Sequence, residues 1–277
     1  MHFLRKAITT FAALVPLSLA AHSDHQHAPP APPASQPTNA RVLAPGYSPL
    51  TYAAPAPGTY FLPFLFKAAD GEVLREDGRK SRLHDVLGDR VTVLGFMYTR
   101  CDDVNGCPLA TAVFHQVMDR FKARPELADR VQLVTFSFDP EHDTPDLMGK
   151  QRSMHTMGSA FDWHFLTTAS TAALAPVLDA YNQTVMRRAN ATDDSTGPYS
   201  HILRVFLIDR ARRVRNIYSV AFLHADTLAN DVLTLLAEAD APADRTTDKS
   251  RTHGPGDVKS GYESANYTTR TRDLTAR

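Results

Sequence analysis

Thiols are scarce in this chain. Its 277 residues hold two cysteines, Cys101 and Cys107. Iron–sulfur clusters are excluded, because they need more thiolates. A structural zinc site lacks its fourth ligand, since no further Cys or well-placed His accompanies the pair. Charge of one sign is not in excess either: 30 Lys and Arg balance 30 Asp and Glu. No basic surplus points to nucleic acid, and no acidic block makes a charged tail. The chain has no phosphate loop, no dinucleotide-binding motif, no Ser-His-Asp arrangement and no internal repeat. Function must therefore come from local chemistry.

The N-terminal apolar run, Ala7 to Ala21, is shorter than the roughly 20 residues that cross a bilayer. Arg5 and Lys6 precede it, Pro16 interrupts it, and Ser18 and Ala20 are the small residues of a cleavage site after Ala20. This pattern predicts a secretory signal peptide over 1–21; uncleaved, the same segment would be an anchor in the inner membrane. No cysteine follows it to accept a lipid, and twin arginines are absent. Export to the periplasm, or out of the cell, puts both cysteines where a disulfide can persist.

Proline is concentrated: nine of 19 lie between Pro29 and Pro57. Residues 22–57 read as a semi-rigid His/Pro-rich linker. It opens with His22, His25 and His27, a solvated polar tail rather than a metal site, because nothing fixes the rings. Residues 242–277 lack periodic apolar positions and read as a disordered tail. One domain, 58–241, remains.

Within it, elements alternate. "VTVLGFMY" (Val91 to Tyr98) and "VQLVTFSF" (Val131 to Phe138) are continuous apolar runs, expected of strands covered on both faces. Pro108 suits the first turn of a helix carrying Leu109, Val113, Val117 and Phe121 on one face. Thr144 and Pro145 read as N-cap and first residue of a second helix. "WHFLT" is a third strand, "LAPVLDAY" a helix whose start Pro176 obscures. "ILRVFLID" and "RVRNIYSV" form a hairpin, and Leu228, Val232, Leu235 and Leu236 mark a last helix with Asp226 as a possible cap. The order predicts an α/β fold: a thioredoxin-like sandwich, with a central mixed sheet flanked by helices. The cysteines fall at the carboxyl end of its first central strand, where such sheets place their chemistry.

"TRCDDVNGCPL" admits three readings. A structural disulfide is the weakest, because closing so short a loop gains little chain entropy. A redox pair and a metal site both draw on thiolate, which the positive end of a helix favours. The five residues between the cysteines make a longer, floppier loop than a two-residue redox spacing, and Asp102 and Asp103 oppose thiolate formation. A metal site needs a third ligand. Of 12 histidines, His201 in "GPYSHILRVFLID" is the best placed, directly before a buried strand that lies beside the active-site helix. Two thiolates and an imidazole are a soft, low-coordinate set that suits copper, above all Cu(I), and also holds Cu(II).

Three segments resemble the SCO/SenC family of thioredoxin-like copper-binding proteins: "LGFMYTRC…CPL", "VTFSFDPEHDTP" and "SHILRVFLIDRARRVRNIYS". They cover roughly Val91 to Ala239 in the family's order. The resemblance implies a copper metallochaperone for the copper centre of cytochrome c oxidase, acting by copper delivery or by reduction of the client's cysteines. Its implied partners are a copper-acceptor protein, a cytochrome c oxidase subunit, and a thiol-disulfide reductant. The implied ligands are Cys101, Cys107 and His201, with Asp139 behind them. If the redox role operates, Cys101 and Cys107 are its catalytic pair; a copper or redox sensor is a further reading. The usual family spacing has three residues between the cysteines, so five changes the loop and its potential.

Other residues read as structural. His115 lies off the apolar stripe and is expected in solvent. His142 could pair with Glu141 or Asp143. Met118, Met148, Met154 and Met157 read as core fillers, and Trp163 as a core or edge anchor.

Overall fold

The structure is a computed structural model that describes residues 43–188 and 197–241, all within one compact unit. The expectations of a signal peptide, of the His22, His25 and His27 cluster and of a disordered tail fall outside the described residues.

The chain enters through short strands β1 (Phe66–Lys67), β2 (Glu72–Leu74) and β3 (Lys80–Arg82) and helix α1 (Leu83–Leu87). Then come β4 (Val91–Met97), α2 (Cys107–Lys122), α3 (Pro125–Ala128), β5 (Val131–Ser137), α4 (Pro145–Thr156), β6 (Trp163–Leu166) and α5 (Thr171–Ala180). The rest is β7 (Val185–Arg187), β8 (Tyr199–His201), β9 (Val205–Ile208), β10 (Arg213–Tyr218) and α6 (Ala225–Asp240).

Six strands form one mixed sheet in the order β1-β10-β9-β4-β5-β6. β4, β5 and β6 run parallel, whereas β9 and β10 are the expected antiparallel hairpin. Every residue of β4 and β5 is buried, as their unbroken apolar runs require. α2 buries Leu109, Val113, Val117 and Phe121 together with Phe114 and Met118. Each such side chain contributes about 1.5–3 kcal/mol on leaving water. Trp163 is wholly buried, and its indole N–H donates to Thr135 Oγ1 at 3.0 Å.

Capping explains two helix starts. Thr144 accepts from Leu147 N–H, with Pro145 in the first turn of α4, as expected. Ser170 caps α5 by accepting from Ala173 N–H, and Pro176 lies inside the helix. At α6 the expectation fails: His224 is the N-cap, and Asp226 sits in the first turn, where its charge meets both the helix dipole and Arg120.

Sequence periodicity did not reveal the small strands. β2 and β3 are a separate ribbon, and β7 and β8 another, joined by the register Val185↔His201, Met186↔Ser200 and Arg187↔Tyr199. His201 therefore ends a two-stranded ribbon instead of leading straight into β9. Residues 43–57 carry no helix or strand, yet Ala44 is buried, Tyr47 lies 4.6 Å from the His224 ring, and Asn230 donates to Pro55 O. Two methionines depart from expectation as well. Met118 and Met148 are core, but Met154 is 58% and Met157 86% exposed; Met157 ends α4 in the left-handed conformation.

Candidate metal centre

β4 delivers the chain to Cys101 four residues after its last paired residue, Met97, and α2 begins at Cys107. The intervening loop is folded, not floppy. Asp103 Oδ1 accepts from Asn105 N–H at 3.0 Å, and Asp103 O accepts from Gly106 N–H at 2.8 Å. A Cβ at Gly106 would lie 3.1 Å from Asp103 O and 3.3 Å from Cys101 Sγ, so glycine keeps this close approach uncrowded. Asn105 also accepts from Gly46 N–H, tying the loop to the entering segment.

His201 reaches the same point from the β7–β8 ribbon. Its Nε2 lies 3.5 Å from Cys101 Sγ and 3.9 Å from Cys107 Sγ. The three ligand atoms all lie within 4.8 Å of one another. Both thiols are free and buried. Gly197 lets the ribbon dock: it has φ +74°, and a Cβ there would lie 2.3 Å from Tyr98 Oη and 2.4 Å from Arg100 O. Gln183 Nε2 donates to Ile202 O at 2.8 Å and pins the ribbon's other end. The imidazole sits between Phe138, 5.0 Å away, and the edge of Tyr98, 5.8 Å away.

The two thiols titrate in opposite directions. Cys101 is lowered to about 5 because the Cys107 sulfhydryl donates to its sulfur. Burial opposes this; His201 and the backbone N–H groups of Cys107 and Asp103 add to it. Cys107 is raised, first by burial and then by the neighbouring Cys101 sulfur. The helix N-terminus thus acts on Cys101, at which its first N–H points, while desolvation wins at Cys107 itself. The Asp103 backbone N–H supports the thiolate as well.

Behind the ligands lies a carboxylate frame. Asp139 is fully buried and accepts from Arg100 Nη2 at 2.5 Å, Arg100 Nε at 3.1 Å and Tyr199 Oη at 3.2 Å. It thereby ties the residue before Cys101 to the strand that carries His201. Asp143, also fully buried, accepts from Thr99 N–H, Thr99 Oγ1 and Ser137 Oγ. It is bound to β5 and to the loop that follows β4, not to His142, which is exposed; Glu141 pairs with Arg187 instead. Sequence reasoning did not single out Arg100, Thr99 or Tyr199. Asp143 was visible only as part of "DPEHDTP".

A cavity of about 410 Å³ opens beside the thiols, lined by Met97, Thr111, Met148 and Gln151 among others. His115 and His155 also line it. His115 is half-buried, not solvated: α4 lays His155 against it at 3.0 Å, and the Trp163 ring lies 5.0 Å away.

The SCO1/SenC family model matches residues 68–237. The SCO1 protein homolog of Bacillus subtilis (strain 168) is 31% identical over 113 residues, covering 40% of this chain and 51% of the relative. The chain thus spans about half the length of that curated relative. The crystal structure of Arabidopsis thaliana ScoI with copper bound matches at TM-score 0.52 and 20% identity, over 62% of this chain and 98% of that one. A SCO1/SenC family lipoprotein from Bacillus anthracis str. Ames matches at TM-score 0.51 and 24% identity, over 62% and 95%. At these identities the likeness establishes the thioredoxin-like fold.

Proposed function

The chain belongs to the SCO1/SenC family, and on that premise we propose that it is an exported copper metallochaperone, working in the periplasm, that holds one copper ion through Cys101, Cys107 and His201. The observation that carries this reading is the meeting of the three ligand atoms within 4.8 Å. Two sulfurs and one imidazole nitrogen suit copper, and three ligands without a fourth suit Cu(I) in particular. Copper is cargo here. Low coordination lets an acceptor's ligand enter before one of the chain's own leaves, so the ion is passed by ligand exchange. The family resemblance implies a cytochrome c oxidase subunit as acceptor.

The chain's own residues prepare the exchange. Cys101 presents thiolate at neutral pH, so the first sulfur binds without losing a proton. Cys107 keeps its proton until the ion displaces it. His201 must offer a bare Nε2, which moves its proton to Nδ1. That nitrogen is buried and has no hydrogen-bond partner among the described residues. Most metal-bound histidines have such a partner, and its lack weakens the third ligand relative to the sulfurs. Release should therefore begin at His201. Asp139 is a positioning residue, holding Arg100 and Tyr199 and so the spacing of sulfur to imidazole.

Copper titration of the reduced chain against a competing chelator tests the reading. One Cu(I) per chain is expected, bound at least tenfold more weakly by His201→Ala and not above background by the double Cys→Ser variant. Equal affinity in all three would refute it.

The unequal thiols favour a second reading, thiol–disulfide exchange on a client's cysteines. Cys101 thiolate attacks the client disulfide, one client sulfur leaves as thiolate, and a mixed disulfide forms. Cys107 then loses its proton and attacks Cys101 Sγ, releasing the second client thiolate. The client gains two electrons, and the chain ends as the Cys101–Cys107 disulfide. A mixed disulfide trapped by Cys107→Ser supports this step; its absence with a reducible client refutes it. His201 is not needed for it, so His201→Ala separates the two activities.

A further inference from the structure

The 410 Å³ cavity has a second polar end. Cys107, Thr111 and His115 recur every four residues and share one face of α2. Across the cavity, Met148, Gln151 and His155, spaced three and then four residues apart, share one face of α4. Eight residues of helix separate Cys107 from His115, about 12 Å along the axis. The imidazoles therefore form a place distinct from the thiolates.

The two rings are fixed. His115 packs edge-on to Trp163 at 5.0 Å, and His155 stacks on Phe165 at 5.5 Å with planes 6° apart. His155 Nε2 lies 3.2 Å from Gln151 Oε1, and His115 Nε2 lies 3.0 Å from His155 Nδ1. A carbonyl oxygen only accepts, so His155 Nε2 carries its proton and Nδ1 is bare. His115 Nε2–H is then the donor between the rings. No carboxylate hydrogen-bonds either ring among the described residues. Two neutral imidazoles thus point one nitrogen each at a common point, with only a proton between them.

We propose that His115 and His155 form a second metal site, taking one Cu(II) ion through His115 Nε2 and His155 Nδ1. Metal–nitrogen bonds of about 2.0–2.1 Å on atoms 3.0 Å apart subtend about 95°. That is the cis angle of a tetragonal site, the geometry Cu(II) adopts with nitrogen and oxygen ligands. The proton between the rings moves to His115 Nδ1, so the ion enters by a change of tautomer with no net proton loss. Water in the cavity fills the remaining positions. The second site does not depend on copper binding by the thiolates.

Trp163 is the single tryptophan and lies 5.0 Å from one ring and 5.5 Å from the other, so its fluorescence reports the site. The test uses the full chain with Cys101 and Cys107→Ser and His22, His25 and His27→Ala, which removes the thiolates and the N-terminal cluster. Titration with Cu(II) should quench Trp163 with a stoichiometry of one and give a tetragonal electron paramagnetic resonance signal coupled to two nitrogens. Zn(II), which does not quench, should reverse the effect by competition. His155→Phe, which keeps the ring stack, and His115→Gln should each weaken binding at least tenfold with unchanged unfolding midpoints. Should either variant unfold, nitrogen coupling in the parent chain decides: two coupled imidazoles support the site, one or none overturns it. Quenching that persists in folded His155→Phe also overturns it, as does the lack of any stoichiometric binding.

Discussion

A low titration of Cys101 would serve both proposed activities, and its causes can be removed one at a time. The largest is the Cys107 sulfhydryl, followed among the stabilising contacts by His201 Nε2 at 3.5 Å. A hydrogen bond to a charged acceptor contributes about 1.5–3 kcal/mol, and one pKa unit corresponds to about 1.4 kcal/mol. Cys107→Ala removes the sulfhydryl donor but keeps the backbone N–H. It should raise Cys101 from about 5 by about 1–2 units. His201→Ala removes the weaker donor and admits water that solvates the thiolate, so its rise should be smaller, about one unit. Cys107→Ser keeps a donor and should leave Cys101 within about a unit of the native value. The assay is thiolate absorbance of the reduced, metal-free protein against pH, paired with the pH dependence of alkylation at Cys101. Native protein should hold Cys101 almost wholly as thiolate at pH 7. Equal midpoints in native and Cys107→Ala protein, or a larger rise in His201→Ala than in Cys107→Ala, would refute this account of the thiolate.

Further outcomes follow from the frame around the site. Asp139→Asn leaves Arg100 without its carboxylate and should cost about 1–3 kcal/mol in urea unfolding, discounted because the Arg100 side chain is 43% exposed; the Arg100→Ala, Asp139→Asn double variant should cost less than the sum. Gly197→Ala places a methyl against Tyr98 and Arg100 at φ +74° and should lower copper affinity at least tenfold, because the ribbon that carries His201 must shift, as a chelator competition would show. His155 is lowered to about 4 by burial, then by His115, against an ordinary 6.5. The folded chain holds it neutral, so its stabilising contribution is complete above pH 6.5 and is lost as pH falls toward 4. The loss stays below about 3 kcal/mol, because water screens the partly exposed ring. Urea midpoints of native protein should therefore fall more steeply over that window than those of His155→Phe.

Local pattern was enough to place the central elements. The apolar runs of β4 and β5 could be satisfied only by strands buried on both faces, and the stripe from Leu109 to Phe121 only by a helix lying on them. Thr144 and Pro145 marked the start of α4 because capping is a property of adjacent residues. The short strands were not legible for the opposite reason. β7 and β8 have no buried face of their own, and their pairing depends on where Gly197 lets the chain approach Tyr98.

The candidate site divides in the same way. Cys101, Cys107 and His201 stood out because ligand chemistry belongs to residue type and to position between strand and helix. Which sulfur becomes the thiolate was decided by tertiary structure, since burial of Cys107 outweighs the helix dipole and turns its S–H and N–H toward Cys101. Tertiary structure also closed Asp139 onto Arg100 and Tyr199, and brought His115 of α2 within 3.0 Å of His155 of α4. Sequence alone determined the central elements and the inventory of donors, because propensity and periodicity are short-range. Protonation, orientation and the pairing of distant side chains arose only from packing, because they depend on desolvation and on contacts between segments far apart in the chain.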